Sequence, residues 1–331
     1  MKNIILFLFI ISLFSCKQKA NKVGVETFTN TKLEGSVFGT FYQVTYDSEI
    51  NYQKQFDSLF YVINKSMSTY QKDSDISKLN RNEIVEIDTH FKNVFEASKK
   101  IYEETKGAFD PTIGALVNAW DFGPEGGIVN LDSFKINNLM KSVGFDKVSI
   151  IENKVAKQPK TFIDFNAIAK GYAVDVVAKF LNQKNVDNYI VNIGGELNAK
   201  GINREKNKGW TVGVENPNFD GTQSYDKVFV LKDEAMATSG TYRKFKLDDN
   251  GNRYAHIIDT ETGYPSKTNL LSISVIVEDC MTADAYATAF KAMGIEKVEV
   301  FLESHPDLKV FLIFENDENN LGTLSFNDFP E

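Results

Sequence analysis

The sequence predicts an α+β fold: a single domain with a mixed, largely antiparallel sheet and packed helices. Three observations carry this. Apolar residues recur at helical spacing through the first half, whereas the second half is rich in short Val, Ile and aromatic runs bounded by Gly, Asn, Pro and Asp. Many strand-to-strand connections are too short for a helical crossover, which favours antiparallel pairing. The 331 residues are 42% hydrophobic, enough for one large core, and neither a repeat nor a low-complexity linker divides the body.

The chain begins with Lys2 and an apolar run, Ile4 to Phe14, broken only by Ser12. A membrane-spanning helix needs roughly 20 apolar residues, so the run reads as the core of a secretory signal. It ends in Leu13-Phe14-Ser15-Cys16, which resembles a bacterial lipobox. The expected organisation is a lipoprotein signal peptide (1–15), a lipidated Cys16 with a flexible polar tether (16–33), and one folded domain (34–331). The protein is then an exported lipoprotein held at the membrane on the periplasmic side or cell surface. Lipidation of Cys16 leaves Cys280 as the one other cysteine, so no structural disulfide is expected, although the compartment permits one.

Within the body, Phe38–Tyr46 has strand composition. Phe56, Leu59, Phe60, Ile63 and Met67 give an amphipathic helix over 53–67. Phe91, Val94, Phe95 and Tyr102 give a second, running to about Thr105 and punctuated by Gly107. Residues 131–143 read as a short helix opened by Asp132 or Ser133, and 170–183 as another. Strands are expected at Tyr189–Leu197, Trp210–Glu215, Lys227–Lys232 and Leu270–Val277. Helices follow at Thr282–Met293 and near Ile295–Ser304, and a strand closes the fold at Lys309–Phe314.

The net charge is −8 and falls to −9 once residues 1–15, with Lys2, are removed. An acidic surface without a basic stripe argues against nucleic-acid binding. The three histidines, His90, His256 and His305, lack metal-ligand spacing, and there is no CxxC pair, so an ordinary zinc site is not expected. P-loop, GxGxxG and GxSxG signatures are also missing.

Four clusters of chemistry-bearing residues are present instead. The first is Met67-Ser68-Thr69-Tyr70, with Asp73-Ser74-Asp75 and Asn80. The second runs from Gly107-Ala108-Phe109-Asp110-Pro111-Thr112 to Asn118-Ala119-Trp120-Asp121-Phe122-Gly123. The third is Asp164-Phe165-Asn166-Ala167-Ile168-Ala169-Lys170-Gly171, continuing to Asp175, then Asn192-Ile193-Gly194-Gly195-Glu196. The fourth joins Thr238-Ser239-Gly240-Thr241, His256-Ile257-Ile258-Asp259, Thr262-Gly263-Tyr264-Pro265 and Ala283-Asp284-Ala285-Tyr286-Ala287-Thr288. In this order the set resembles the ApbE family of FAD:protein FMN transferases, from about Gly35 to Phe314.

The resemblance implies a T-fold-related domain that takes FMN from FAD and attaches it to a Thr or Ser hydroxyl of a second protein, releasing AMP. It implies Mg²⁺ held by Asp284, Thr288 and the backbone carbonyl of Ala167. Asp284 and Thr288 are four apart on a predicted helix, on one face, and offer the all-oxygen ligation that Mg²⁺ prefers. By spacing alone such a pair is more often a solvated helix face; the resemblance reverses that reading. FAD-contacting roles are implied for Phe38, Met67, Tyr70, Asn118, Ala119, Trp120, Asp164, Lys170, Ser239, Gly240, Thr241 and Ile258.

Phe38 stands where the family usually has Met, and covers a ring less securely. Lys170 sits at a helix start, an unfavourable place for a cation in the helix dipole unless it has a task there. Ser239-Gly240-Thr241 offers hydroxyls and approachable N–H groups to a phosphate. A lone His is more often structural, but the resemblance makes His256 a general base, with Asp284 the other catalytic residue and Asp259 a candidate orienting partner. The implied acceptor is a redox subunit of the sodium-pumping or Rnf type at the same membrane surface. The alternatives are an FAD pyrophosphatase, releasing FMN and AMP, and a non-catalytic flavin-binding lipoprotein.

Overall fold

The computed structural model describes residues 30–331 except 219, 221, 242–244, 248–252 and 319. The expected signal peptide, Cys16 and most of the expected tether lie outside the described residues.

In chain order, a hairpin of β1 (Thr31–Val37) and β2 (Thr40–Tyr46) leads into α1 (Gln53–Met67), α2 (Asp75–Asn80), α3 (Thr89–Glu104), α4 (Gly114–Ala119) and α5 (Ser133–Met140). A small hairpin, β3 (Ser149–Ile151) and β4 (Lys154–Ala156), precedes α6 (Ala169–Gln183). Eight strands follow: β5 (Tyr189–Ile193), β6 (Glu196–Lys200), β7 (Ile202–Asn203), β8 (Lys208–Glu215), β9 (Tyr225–Leu231), β10 (Ala235–Gly240), β11 (Phe245–Leu247) and β12 (Arg253–Ala255). The fold closes with β13 (Leu270–Val277), α7 (Cys280–Met293), α8 (Ile295–Leu302), β14 (Lys309–Glu315) and β15 (Leu321–Phe326).

An eight-stranded sheet, β1-β2-β5-β6-β10-β13-β14-β15, forms the spine. Each neighbouring pair in it is antiparallel. One face carries the helices. Alternation in β2 and β5 turns Tyr42, Val44, Tyr46, Tyr189, Val191 and Ile193 inward, where they join Phe56, Phe60 and Ile63 of α1 and the apolar side of α6 and α7 in one core. The other face is covered over β6, β10, β13 and β14, where Leu197, Met236, Ile276 and Phe311 pack with Trp210, Val212, Phe229 and Leu231 of the β7-β8-β9 sheet. Towards β1 and β2 this second cover stops, and Phe41 is 46% exposed.

The helices at 53–67, 89–104, 133–140 and 169–183 fall where apolar periodicity puts them. Caps fix three starts: Asp88 accepts from Phe91 N at 2.8 Å, Asp132 from Lys135 N at 2.8 Å, and Asp279 from Thr282 N at 2.8 Å. Two expectations shift. The strand read through Tyr189–Leu197 is broken by a turn at Gly194 and Gly195, both at positive φ (66° and 107°), where glycine is favoured. Among the described residues, strand structure starts at Thr31, three residues before position 34, as β1 pairs with β2 throughout its length.

The helix layer has one close crossing. A Cβ built on Gly171 of α6 would lie 2.2 Å from the Cys280 carbonyl oxygen of α7 and 2.9 Å from Asp284 Cβ. Alanines 283, 285, 287 and 289 keep α7 thin where it meets its neighbours. Gly171→Ala is therefore expected to lower the free energy of unfolding by about 1–3 kcal/mol, the usual range for overpacking. Urea unfolding measures this, and an unchanged midpoint would mean that the helices separate freely.

Candidate active site

The close crossing places chemistry as well as packing. Gly171 N donates to Asp284 Oδ2 at 3.0 Å, tying the first turn of α6 to the middle of α7. Four residues on, Asp175 receives the start of α7: Cys280 N donates to Oδ1 at 2.9 Å and Met281 N to Oδ2 at 2.8 Å. Asn198 of β6 donates to the same carboxylate at 3.2 Å. Asp175 therefore holds two otherwise orphaned helix N–H groups from outside the helix. With Asp279 capping from within, the register of α7 against α6 is fixed.

Three charged side chains meet at this junction. Lys170 Nζ pairs with Glu196 and lies 4.0 Å from Asp284 Oδ1. Glu196 and Asp284 are both buried. Burial works against the Lys170 charge, but Asp284 and Glu196 hold its pKa above the ordinary value. Burial pushes Glu196 upward; Lys170 opposes that and Asp284 adds to it. One cation thus faces two carboxylates. Opposite stands Thr288, one turn beyond Asp284, with its hydroxyl 3.5 Å from Ser239 Oγ of β10. Lys170 lies within the first turn of α6 rather than before it, and its two acidic partners offset the unfavourable dipole.

Among the described residues, no group of three or more His, Cys, Asp or Glu gathers to hold a metal. A divalent ion here would draw on the Asp284 carboxylate, the Thr288 hydroxyl and the Ala167 carbonyl, with water and phosphate completing its shell. That is the mixed oxygen set of a hard cation. The residues fit such an ion: negative charge is in excess, and Glu196 Oε2 is buried without a hydrogen-bond partner.

The junction opens into a cavity of about 1560 Å³ whose wall includes Ala167, Lys170, Ser239, Gly240, Asp284 and Thr288. Phe38, Met67, Tyr70, Asp164, His256 and Ile258 line it as well. Phe38 sits at positive φ (50°) in the β1–β2 turn, its ring edge-on to Phe60 at 5.7 Å. Asp164 is braced from several sides. Its N–H donates to Pro111 O at 2.8 Å, and its Oδ1 accepts from Asn166 N at 2.8 Å. The preceding residue, Ile163, is held by both ends of the Asn80 amide, at 2.8 and 2.9 Å. Burial raises the Tyr70 pKa, with the Asp164 charge adding to the effect.

Four expected contacts do not reach the wall. Asn118 and Ala119 are buried beside the cavity without lining it. Trp120 turns away to donate from Nε1 to Gly263 O at 2.9 Å, its ring against Tyr254 and Tyr264. Thr241 is a step beyond, its N–H bonded to Leu271 O at 3.0 Å. Asp259, read as a partner for His256, uses its Oδ1 to accept from Glu261 N and Thr262 N at 2.8 and 2.9 Å, which shapes the Thr262–Pro265 turn. His256 has the Phe122 ring beside it at 6.2 Å.

Residues quoted in the motifs without a role prove central to the geometry. These are Glu196, Asp175 and also Asp110, which lines the cavity with its carboxyl lifted by burial to about 6. The available signal was an acid directly after Gly194-Gly195, and another on the helix face one turn past Gly171.

A half-buried cation thus stands between two buried carboxylates, with hydroxyls and a histidine in the same large cavity. The ApbE family profile matches residues 38–312, and the chain belongs to the ApbE family. It is 36% identical to the FAD:protein FMN transferase of Haemophilus influenzae over 97% of this chain and 94% of that one. Against the protein of the same name from Vibrio cholerae it is 36% identical over 86% and 88%. The solved flavin transferase ApbE from Vibrio cholerae superposes with a TM-score of 0.82 at 33% identity, over 91% of this chain and 98% of that one. The apo flavinyl transferase ApbE of Pseudomonas stutzeri gives 0.81 at 28%, over 90% and 95%.

Burial, the largest influence on Asp175, lifts its carboxyl from 3.8 to about 7 against the hydrogen bonds that favour its ionised form. A carboxyl that binds its proton more tightly when folded contributes stability that is lost as pH rises from the unfolded value towards the folded one. Wild-type stability is thus expected to fall relative to Asp175→Asn between about pH 4 and 7. Melting temperatures of both proteins across that range measure it, and a pH-independent difference would contradict the assignment.

Proposed function

We propose that this chain transfers the FMN half of FAD to a Thr or Ser hydroxyl of an acceptor redox protein, with Mg²⁺ as its metal. The observation that carries the reading is the Lys170–Glu196–Asp284 junction, its two carboxylates buried, facing Ser239 and Thr288 in one cavity with His256. Family membership gives the reading its chemistry.

The acceptor oxygen attacks the phosphorus of the FMN half. A new O–P bond forms, the bond from that phosphorus to the bridging oxygen breaks, and AMP leaves with the electron pair. Lys170 draws the pyrophosphate to the junction and balances its charge. Ser239 and the Gly240 backbone offer hydrogen bonds to its oxygens. His256, in the wall of the same cavity, takes the proton from the attacking hydroxyl. Asp284, Thr288 and the Ala167 carbonyl would hold the Mg²⁺, which supplies Lewis-acid stabilisation of the charge developing on the phosphate oxygens. Phe38, Met67 and Tyr70 provide aromatic and apolar surface for a planar ring. The nucleophile belongs to the acceptor, so this chain needs no nucleophilic triad of its own.

A lipid on Cys16 would hold the enzyme beside membrane-bound acceptors such as subunits of the sodium-pumping or Rnf type. Confinement to one surface raises their effective concentration. Cys16→Ser is expected to move the protein from the membrane to the soluble fraction.

Protein beginning after Cys16, incubated with FAD, Mg²⁺ and the soluble domain of an Rnf-type subunit, is expected to add the mass of FMN to that domain. Asp284→Ala should reduce the rate by at least about 100-fold, on the scale of removing one electrostatic stabiliser. FMN and AMP released without acceptor labelling would instead make the chain a pyrophosphatase. Tight FAD binding with no turnover would leave a flavin carrier. His256→Ala is expected to lower kcat by about 100-fold or more with FAD affinity retained; an unchanged kcat would remove it as the base.

A further inference from the structure

The cavity is larger than one substrate requires. Small-molecule sites span about 300–1,000 Å³, whereas this one measures about 1560 Å³. The surplus lies away from the junction. The wall continues past Gly194 and Gly195 onto the face of β2 and β5 that the small β7-β8-β9 sheet leaves open, and reaches Tyr225 at the start of β9.

This arm differs chemically from the junction. Its floor carries Gln43 and Asn192, which are direct cross-strand partners, beside the Thr45–Ile190 pair. Phe41 and Tyr225 stand at its margins, 46% and 53% exposed. Tyr225 lies over Gly213, where a Cβ would come within 2.6 Å of its ring. Among the described residues lining this arm, Glu215 is the one carboxylate, and Gln223 donates a hydrogen bond to it. Neutral amides, hydroxyls and aromatic edges of this kind match the repeating N–H and C=O groups of an extended polypeptide. They offer a pyrophosphate no positive charge.

The arm is coupled to the reacting centre. Asn192 Oδ1 accepts from Gly195 N at 3.0 Å, which fixes the turn leading directly to Glu196 and so to Lys170. A chain lying along β2 and β5 would therefore run towards the pyrophosphate.

We infer that the open face of β2 and β5, between Phe41 and Tyr225, is the docking trough for the acceptor segment that carries the modified hydroxyl. It binds that segment extended along Gln43, Thr45 and Asn192, and delivers its hydroxyl past Gly194-Gly195 to the junction. The inference rests on the flavin-transfer reading and deepens it.

The test uses Tyr225→Ala and Thr45→Trp, two substitutions on the trough and away from the charged junction. FAD affinity is read by flavin fluorescence titration, acceptor KM and kcat by FMN mass gain on the Rnf-type domain, and folding by melting temperature. The expected result is a rise in acceptor KM of about tenfold or more in each variant, with FAD affinity and melting temperature at wild-type values. An unchanged KM in both variants would overturn the proposal. So would a parallel loss of FAD affinity, because the arm would then belong to the flavin site. If wild-type protein labels no acceptor at all, the transferase reading fails and takes the docking proposal with it; that outcome shows in the wild-type arm alone.

Discussion

The approach of α6 to α7 at Gly171 is the constraint on which the rest of the site depends. With 2.2 Å between a notional Cβ and the Cys280 carbonyl, no other residue lets the two helices meet at this distance. Because they meet, Asp284 in the middle of α7 can accept from the first turn of α6. Because Asp175 then takes the two leading N–H groups of α7, the crossing has one register rather than several. Thr288 and Ser239 face each other only in that register, since α7 also lies across β10 and β13. A packing requirement and a chemical one are met by the same few atoms.

The electrostatic consequence is a centre poised for ligands rather than for stability. Burying Glu196 and Asp284 around a single ammonium leaves one negative charge uncompensated, and isolated buried charge is strongly unfavourable. The fold accepts this at a point where a bound divalent cation would offset the excess. On the proposed reading, Lys170 would offer positive charge to phosphate, while Asp284 and Thr288 would offer oxygens to the metal. Burial drives Glu196 towards its protonated form; Lys170 opposes this and the Asp284 charge adds to it.

Much of this was legible in the residues. The helices announced themselves because their apolar faces repeat at helical spacing, as with Phe56, Phe60, Ile63 and Met67. Strands rich in β-branched residues, such as Leu270–Val277, were equally clear. β10 was not: Ala235–Gly240 is made of small residues, and it is a strand because β6 and β13 flank it. The Gly194-Gly195 break hid inside an otherwise apolar run. At the site, the ordered motifs indicated most of the cavity wall, from Phe38 to Thr288. They misplaced Trp120, whose ring is drawn off by Gly263, Tyr254 and Tyr264, contacts between segments over 130 residues apart that no local pattern encodes. Asp175 and Glu196 stood in the motifs without a role for the same reason, since their importance lies in partners on other elements.

An enzyme that modifies another protein must admit two substrates of very different shape to one point. A closed, fitted pocket would serve a dinucleotide but shut out a polypeptide. Here one face of the sheet is sealed by helices, and the other is only partly sealed by a small three-stranded sheet. The charged junction sits near the end of β5, where the strand turns through Gly194-Gly195. Two glycines at positive φ keep that turn low, and the side chain of Asn192 holds it in place. A larger residue at Gly194 would crowd Thr40 at 2.8 Å and close on Glu196. The turn is therefore a threshold between a polar trough and a charged centre. On the proposed reading, its shape would govern whether a macromolecular hydroxyl, and not only water, has a path to the phosphorus.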